Sequence, residues 1–302
     1  MNAVIKLSSM GDIIHSLVVL PFFKEKIDFI VDDSFKGILE KNPYINKIIP
    51  VKLRAAKKER ILFFKEFIHF KEMYYDKVYD LQGLFKSAFF AKLATENLIG
   101  YKNPREKIAS LFYNKKIKSE KFYAIERYLE LFGIEADLKK HPKLLFYKEK
   151  DFKILSKSQK NIVFIIGGSW ECKKLSINKW IELANSLKNE NVIIPYANEN
   201  EKKEALKIQQ NTKNIQIINL NLNDLKALIS KADLLIGNDT GPSFIAWANN
   251  INNIILYGCT FNNKIIENKF SKSIEVQKEI KKGLMVMDKI EIKNILKKID
   301  EF

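Results

Sequence analysis

A single carboxylate near the start of the chain stands where a proton acceptor could act. Asp12 follows the small-residue turn formed by residues 8–11, which separates an apolar run at residues 3–7 from an apolar segment that begins at Ile13. This pattern predicts a strand that passes sharply into a buried helix. An acid in the first turn of a helix commonly acts as a cap, so capping and general-base catalysis are both open for Asp12.

A second stretch has the residues of an anion-binding turn. It joins an apolar run at residues 234–236 to a helix predicted from residue 244, and its sequence is Gly237-Asn238-Asp239-Thr240-Gly241-Pro242-Ser243. Proline at the first helical position, with glycine before it, leaves free backbone amides at the positive end of the helix dipole. The turn predicts a diphosphate site to which the Thr240 hydroxyl adds a hydrogen bond. The alternative is an ordinary capped turn in which Asp239 holds the loop.

Strands and helices alternate in both halves of the chain and would position these two turns. Predicted strands lie at residues 3–7, 27–31, 45–50 and 75–81, and again at residues 161–166, 192–195, 215–220 and 234–236. This alternation predicts parallel sheets covered on both faces by helices, with ligands bound at the carboxyl ends of the strands. A charged segment at residues 148–160 predicts a boundary between a domain of residues 1–150 and a domain of residues 151–302.

A basic segment follows the third predicted strand. Residues 52–60 contain five lysines and arginines, among them Arg54 and Lys57. Such a run is most often a solvated face, but its place after the end of a strand also suits ligand binding. The next segment, residues 61–73, predicts an amphipathic helix with Phe63, Phe64 and Ile68 on one side.

Composition limits the class of protein. Of the 302 residues, 46% are hydrophobic and 29% are charged, and the net charge is +16. The uncharged residues 13–23 are too few for a membrane span of roughly 20 residues, and no secretory signal is visible, so we expect a cytoplasmic protein. The charge favours nucleotides, phosphorylated lipids and acidic membrane surfaces. Nucleic acid is not expected as a partner, because zinc-finger spacing, aromatic RNA-binding signatures and basic heptad helices are all lacking.

The cysteines and histidines predict neither a disulfide framework nor a metal site. Cys172 and Cys259 belong to no ligand pair and have no neighbouring histidine, and the three histidines are scattered. We therefore expect two free thiols and no bound metal.

Several motifs in order resemble one known family. Residues 6–15, Lys-Leu-Ser-Ser-Met-Gly-Asp-Ile-Ile-His, look like the opening signature of the bacterial lipopolysaccharide heptosyltransferases of glycosyltransferase family 9, and within them of the heptosyltransferase I group. Further matches lie at residues 82–88, 104–114, 169–174 and 239–241. The resemblance implies a GT-B fold, in which two Rossmann-like, doubly wound α/β domains face each other across a cleft. We also expect the last helix, near residues 289–299, to pack back on the first domain.

The resemblance also assigns roles to individual residues, with Asp12 as the general base. The expected donor-binding residues are Ser9, Gly11, Ser169, Lys173, Glu199, Asp239, Thr240 and Gly241, with Lys174 as a neighbouring alternative to Lys173. The expected acceptor-binding residues are Gln82, Lys86 and Arg105, to which the basic segment adds Arg54 and Lys57. The chain departs from the family pattern at Phe244, where many members have a histidine.

The implied activity is an inverting transfer of heptose, without metal or cofactor, from ADP-L-glycero-D-manno-heptose to the inner Kdo sugar of Kdo-lipid A. The implied partners are this donor, Kdo-lipid A and the cytoplasmic face of the inner membrane, where the protein would lie as a peripheral monomer. One alternative is a heptosyltransferase II or related transferase with a different acceptor. Another is a catalytically silent protein that binds a nucleotide or an anionic lipid.

Overall fold

The computed structural model describes residues 1–56 and 59–302, so Lys57 lies outside the described residues. The chain divides into two compact units, Met1–Phe146 and Tyr147–Phe302, close to the boundary predicted at residue 150. Within the two described ranges, no helix combines the length and the apolar character needed to cross a membrane.

The first unit is a six-stranded parallel sheet with helices on both faces. Its strands are β1 (Asn2–Ile5), β2 (Ile27–Asp32), β3 (Ile45–Val51), β4 (Lys77–Asp80), β5 (Leu98–Tyr101) and β6 (Lys115–Ile117). Its helices are α1 (Met10–Ser16), α2 (Lys36–Leu39), α3 (Leu53–Ala56), α4 (Arg60–Lys71), α5 (Phe85–Leu93) and α6 (Ala124–Leu131), with 3₁₀ turns at Leu17–Phe22, Asp33–Phe35 and Lys107–Phe112.

The second unit repeats this architecture. Its strands are β7 (Asn161–Ile165), β8 (Asn191–Tyr196), β9 (Ile215–Asn219), β10 (Leu234–Asn238), β11 (Asn253–Tyr257) and β12 (Ser271–Glu275). Its helices are α7 (Ile177–Ser186), α8 (Glu199–Gln210), α9 (Leu222–Ser230), α10 (Phe244–Ala248) and α11 (Ile292–Ile299), with 3₁₀ turns at Glu171–Lys173, Gly241–Ser243 and Met287–Lys289.

The two sheets have equivalent strand orders. The first runs β3-β2-β1-β4-β5-β6, and the second runs β9-β8-β7-β10-β11-β12 when read in the same direction. In each, the order reverses between the first and fourth strands of the unit. Loops that leave neighbouring strands at such a reversal diverge to opposite faces, which opens a crevice at the carboxyl ends of those strands.

Buried apolar side chains hold helices on both faces of the first sheet. Ala3, Ile5 and Leu7 belong to a buried cluster with residues of α4, α5 and the 3₁₀ turn Lys107–Phe112. Because side chains alternate across a strand, Lys6 points to the other face, where its Nζ lies 5.6 Å from the centre of the Tyr128 ring on α6. The predicted parallel sheets and strand-to-helix turns are therefore confirmed.

Helices α4 and α11 bear on two of the sequence predictions. In α4, Phe70 is fully buried, but Phe64 and Ile68 are 63% and 56% exposed, so apolar residues cover the outer as well as the inner side. The prediction of an amphipathic α4 is therefore wrong. Helix α11 packs within its own unit, with Ile292 and Ile295 in the core of the second sheet. Its expected packing on the first domain stays a prediction.

The structure also joins the two cysteines, so the prediction of free thiols is wrong. Cys172, in the 3₁₀ turn Glu171–Lys173, forms a disulfide with Cys259, which follows β11. The two residues are 87 positions apart in the chain. The pairing arises because the loops after β7 and β11 meet at the same edge of the sheet, which local spacing does not reveal.

This covalent link predicts a stability that depends on the redox state. Reduction should lower the free energy of unfolding of the second unit by about 2–4 kcal/mol, because the reduced chain gains loop entropy when it unfolds. Denaturant unfolding with and without reductant measures the difference, and the Cys259→Ser variant, which should not respond to reductant, is the control. Alkylation of both thiols in the denatured, unreduced protein would contradict the link.

Candidate functional site

The turn between β1 and α1 presents Asp12 at the start of the helix. The Asp12 carboxylate is half-buried and accepts hydrogen bonds from the Ser9 hydroxyl at 3.1 Å and the Ser9 backbone N–H at 3.4 Å, both at Oδ2. Gly11 is buried in the first turn of α1, whereas Ser9 is exposed. Asp12 thus caps the helix start, and its carboxylate is held in a fixed place by the same bonds.

Gln82 braces this turn from the neighbouring strand. Its side chain is buried, and Oε1 accepts the backbone N–H groups of Leu7 and Ser8, each at 3.1 Å. The two amides lie directly before Ser9, so the Gln82 side chain fixes the backbone from which the cap of Asp12 starts. This arrangement makes Gln82 a support of the turn and not an exposed acceptor contact.

A fully buried carboxylate, Asp80, in turn holds the loop that carries Gln82. Asp80 Oδ1 accepts the backbone N–H groups of Gln82 and Gly83 at 2.8 and 3.0 Å, and Oδ2 accepts the hydroxyls of Tyr113 and Ser87 at 2.8 and 3.0 Å. Burial raises the pKa of Asp80, and the bonds from these four donors act in the opposite direction.

The loops after β4 and β5 meet beside this support. Gly83 has φ of +66°, and a Cβ there would lie 3.1 Å from the Arg105 backbone nitrogen, so the position suits only glycine. The Gly83 carbonyl accepts the Glu106 N–H at 2.9 Å. This contact brings the predicted acceptor residue Arg105, whose side chain is exposed, next to the Gln82 loop.

Lys86 and Arg54 are two further candidates for binding the acceptor. Lys86 is half-buried on α5, and its Nζ donates to the Leu53 carbonyl at 3.4 Å. Leu53 begins α3, so Lys86 lies next to the backbone of the basic segment. Arg54 belongs to α3.

In the second unit, the Asn238 side chain holds the backbone of a neighbouring loop, as Gln82 does in the first unit. Its buried side chain accepts the Leu175 N–H at 3.2 Å and donates to the carbonyls of Ile166 and Gly167 at 2.7 and 3.2 Å. The side chain at the end of β10 therefore fixes both ends of the loop after the neighbouring strand β7. That loop contains Ser169, which is exposed, and Lys173.

An ion pair between half-buried Lys173 and buried Asp239 links this loop to the turn after β10. Lys173 Nζ lies 2.5 Å from Asp239 Oδ2, which also accepts the Thr260 hydroxyl at 2.9 Å. Lys173 Nζ lies 4.8 Å from the centre of the Trp170 ring. Lys173 Nζ also donates to the Asp239 carbonyl at 3.3 Å, so Asp239 holds the lysine in place and one of the three ammonium donors is left for a further anion.

A cavity opens at the ends of β7, β8 and β10, and Thr240, which follows Asp239 in the chain, contributes to its lining. Its lining includes Gly167, Tyr196, Glu201, Thr240 and Pro242. Thr240 precedes the 3₁₀ turn Gly241–Ser243, and its side chain makes no hydrogen bond to cap that turn. Glu201 lies beside Gly167 in the lining, so close that a Cβ on Gly167 would stand 2.7 Å from Glu201 Oε1.

Glu199, the donor-side glutamate predicted from sequence, is not brought to this cavity. Its side chain is 77% exposed on α8 and pairs with Lys202 at 3.7 Å. Glu201 instead turns back and accepts the Ala197 N–H at 2.8 Å, while Asn198 accepts the Glu201 N–H at 2.9 Å. This reciprocal capping follows an Asn-x-x-Glu spacing, a sequence signal that could have identified Glu201.

Two further predicted positions have clear environments. Phe244, at the position of the family's histidine, is buried in α10. Lys174 pairs with Glu171 at 2.8 Å and Glu204 at 3.6 Å, which raises its pKa. The ion pairs hold Lys174 beside acids other than Asp239, so Lys173 is the lysine next to Thr240 and the cavity.

The role of Gln82 can be tested by removing its accepting oxygen. Gln82→Leu should lower the free energy of unfolding by about 2–4 kcal/mol and speed hydrogen exchange at Leu7 and Ser8, because two buried amides lose their acceptor. Gln82→Glu keeps an accepting oxygen and should change both quantities less. Denaturant unfolding and amide exchange give the two readouts, and unchanged protection in Gln82→Leu would exclude the brace.

Comparisons with known proteins agree with this layout. The family model described as glycosyltransferase family 9 (heptosyltransferase) matches residues 66–282. The chain is 31% identical to the lipopolysaccharide heptosyltransferase 1 of Campylobacter coli, a match that covers 99% of this chain and 98% of the relative. It is 27% identical to the enzyme of the same name from Escherichia coli strain K12, over 85% of this chain and 87% of the relative.

Solved structures support the fold. The Escherichia coli heptosyltransferase WaaC with ADP matches with a TM-score of 0.82 and 22% identity, over 100% of this chain and 99% of that chain. Escherichia coli ADP-heptose heptosyltransferase II matches with a TM-score of 0.74 and 19% identity, over 99% and 97%. The two Rossmann-like units and these matches show a GT-B type fold. The family model and the Campylobacter coli relative show that the chain belongs to glycosyltransferase family 9, the heptosyltransferases.

Proposed function

We propose that the protein transfers heptose from ADP-L-glycero-D-manno-heptose to the inner Kdo of Kdo-lipid A in the inner core of lipopolysaccharide, with inversion and without a metal or cofactor. Family membership and relatives named lipopolysaccharide heptosyltransferase 1 support the reaction class. The observation that carries the donor side is the Lys173–Asp239–Thr260 arrangement beside Thr240 and the cavity. The Lys173 ammonium, held by Asp239, and the neighbouring Thr240 hydroxyl support a diphosphate site at this place.

The second unit would bind the donor. The Lys173 ammonium and the Thr240 hydroxyl would contact the diphosphate, and the Gly241 amide would add a donor at the start of the following 3₁₀ turn. Glu201, which also lines the cavity, would accept hydrogen bonds from ribose hydroxyls. As ADP leaves, its new negative charge would be stabilised by the Lys173 ammonium, which is why the proposal needs no metal.

The first unit would supply the base and hold the acceptor. The acceptor hydroxyl oxygen attacks the anomeric carbon of heptose, the bond from that carbon to the diphosphate oxygen breaks, and Asp12 takes the hydroxyl proton. The bonds from Ser9 keep the carboxylate oriented for this step. Attack from the side opposite the leaving group inverts the anomeric centre.

Arg105 and Lys86 would receive the acceptor. The exposed guanidinium of Arg105 can bind a Kdo carboxylate or lipid phosphate in a two-point contact, and Lys86 adds a second cation. Arg54 and Lys57 belong to the basic segment that would extend this contact. Because the acceptor is anchored in lipid, we propose that the protein acts as a peripheral protein at the cytoplasmic face of the inner membrane. We propose that it does so as a monomer.

The base assignment predicts a selective loss of turnover. Asp12→Asn should lower kcat by about 10³-fold, because the amide keeps the cap but cannot accept the proton, while affinity for ADP stays the same. Asp33→Asn removes another carboxylate from the same unit and should leave kcat unchanged. The assay measures product mass from ADP-heptose and Kdo-lipid A in the presence of chelator.

Other outcomes of this assay would contradict parts of the proposal. Turnover that stops in chelator and returns with a divalent cation would contradict the metal-free mechanism. Transfer only to an acceptor that already carries heptose would indicate a heptosyltransferase II. ADP binding without transfer to either acceptor would indicate a binding protein.

Two glutamates two positions apart provide a matched test of the donor site. Glu201→Gln should raise the Kd for ADP by about tenfold, because a charge-assisted hydrogen bond is replaced by a neutral one. Glu199→Gln changes the same charge on the exposed side of α8 and should leave the Kd unchanged. Calorimetric titration with ADP measures both constants, and equal effects of the two substitutions would contradict the placement of the nucleoside beside Glu201.

A further inference from the structure

A continuous set of phenylalanine rings covers the outer side of the first unit. The set, here called the aromatic face, is Phe63, Phe64 and Phe67 of α4, Phe85 and Phe89 of α5, and Phe112 of the 3₁₀ turn Lys107–Phe112. Neighbouring ring centres lie 5.7–6.5 Å apart along the path Phe64–Phe63–Phe89–Phe85–Phe112. The rings therefore form one surface and not scattered exposed residues.

Much of this surface is open to solvent. Phe64 is 63% exposed and Phe85 is 43% exposed. Aliphatic side chains of the same elements extend the surface, since Ile61 and Ile68 of α4 are 72% and 56% exposed and Leu111 is 76% exposed. Contiguous exposed apolar side chains on this scale mark a surface that binds a partner or a membrane.

Basic side chains border the aromatic face. Arg60, Lys65 and Lys71 on α4 and Lys107 beside Leu111 are exposed, and Lys71 Nζ lies 5.0 Å from the centre of the Phe67 ring. Residues 52–118, which contain all these elements, have 16 lysines and arginines against seven aspartates and glutamates.

Several of the seven acids are already bound by groups of the first unit, as Asp80 is by the N–H groups of Gln82 and Gly83. Glu66 is buried and accepts the Lys52 N–H at 2.9 Å, and Glu106 accepts the Phe85 N–H at 2.6 Å. Apolar side chains bordered by lysine and arginine suit the headgroup region of an anionic bilayer, where aromatic rings insert and ammonium groups reach the phosphates.

The aromatic face is continuous with the acceptor side. The bond from the Phe85 N–H to Glu106 ties the start of α5 to the loop of Arg105, and the Glu106 N–H donates to the Gly83 carbonyl. Binding of a bilayer at this face would therefore bring its lipid headgroups to the loop that carries Arg105.

We propose that the aromatic face docks on an anionic lipid bilayer, with Ile61, Phe64, Ile68 and Leu111 inserted among the headgroups and the bordering lysines and arginines on lipid phosphates. The docking itself does not depend on the proposed function. Its expected purpose does, since docking would bring a lipid-anchored acceptor to the Arg105 loop. The charged border favours this occupant over a second copy of the chain, since two copies would place the same basic residues against each other.

Vesicle flotation tests the proposal directly. The full chain should float with vesicles of phosphatidylethanolamine and phosphatidylglycerol, float weakly with phosphatidylcholine alone, and bind less as salt rises. Phe64→Ser should lower the partition coefficient at least about tenfold, because an inserted ring is lost, and Leu111→Ser tests the same face from a different element. Phe122→Ser is the matched control, since Phe122 is 55% exposed beside α6 and outside the aromatic face.

The readouts separate this inference from the proposed function. Phe64→Ser should keep its melting temperature, its ADP affinity and its turnover on detergent-dispersed Kdo-lipid A, but lose turnover on vesicle-bound acceptor. Equal vesicle binding by Phe64→Ser, Leu111→Ser and wild type would overturn the docking surface while leaving the transferase intact. A wild-type dimer that Phe64→Ser converts to a monomer would also overturn it. Vesicle binding that depends on the aromatic face, without any heptose transfer, would support the docking surface and contradict only the proposed transferase activity.

Discussion

In each unit, a buried polar side chain at or just beyond the end of a strand holds the backbone of the loop after the neighbouring strand, and the candidate residues of that unit depend on this contact. In the first unit, Gln82 holds Leu7 and Ser8 after β1. In the second, Asn238 holds Ile166, Gly167 and Leu175 around the loop after β7. Asn238 is the last residue of β10 and Gln82 follows β4 by two residues, and both strands lie at the reversal of strand order in their sheet. Buried backbone amides without acceptors are costly, so this contact determines where the loops can lie.

The same constraint explains why structural and chemical roles coincide in several residues. Asp12 caps α1 through Ser9, and the cap orients the carboxylate that the proposed reaction needs. Asp239 holds its loop through Thr260 and at the same time holds Lys173 next to the cavity. For both turns, the sequence left open whether the acid has a structural role or a chemical role. The two roles are compatible, because a side chain that is held in a fixed position is better placed to act on a substrate.

The sequence predicts the parts of this structure that depend on local patterns. Apolar runs followed by glycine-containing turns predicted the first strand of each unit and the loops that carry Asp12 and Thr240. Strands β5, β6, β11 and β12 are not among the predicted strands and are defined by pairing with their neighbours. The support by Asp80, which binds Tyr113 from 33 positions away, and the Cys172–Cys259 link depend on contacts that the strand order creates.

Other differences come from side-chain direction. Glu199 and Glu201 are both in the first turn of α8, but only the second folds back over the cap towards the strand ends. In α4, apolar residues on every side fit either a fully buried helix or a helix whose outer surface meets a nonaqueous partner. Composition alone does not separate these possibilities, whereas the exposure of Phe64 and Ile68 does.

A crystal structure of the chain with bound ADP tests the central claim most directly, namely that the buried side chain at the end of β10 and its neighbour Asp239 position a nucleotide diphosphate site. The account predicts a diphosphate oxygen within about 3 Å of Lys173 Nζ and of the Thr240 hydroxyl, as expected for charge-assisted hydrogen bonds, with the ribose beside Glu201. Nucleotide bound away from the ends of β7 and β10, with the Lys173–Asp239 pair turned from it, would contradict the account.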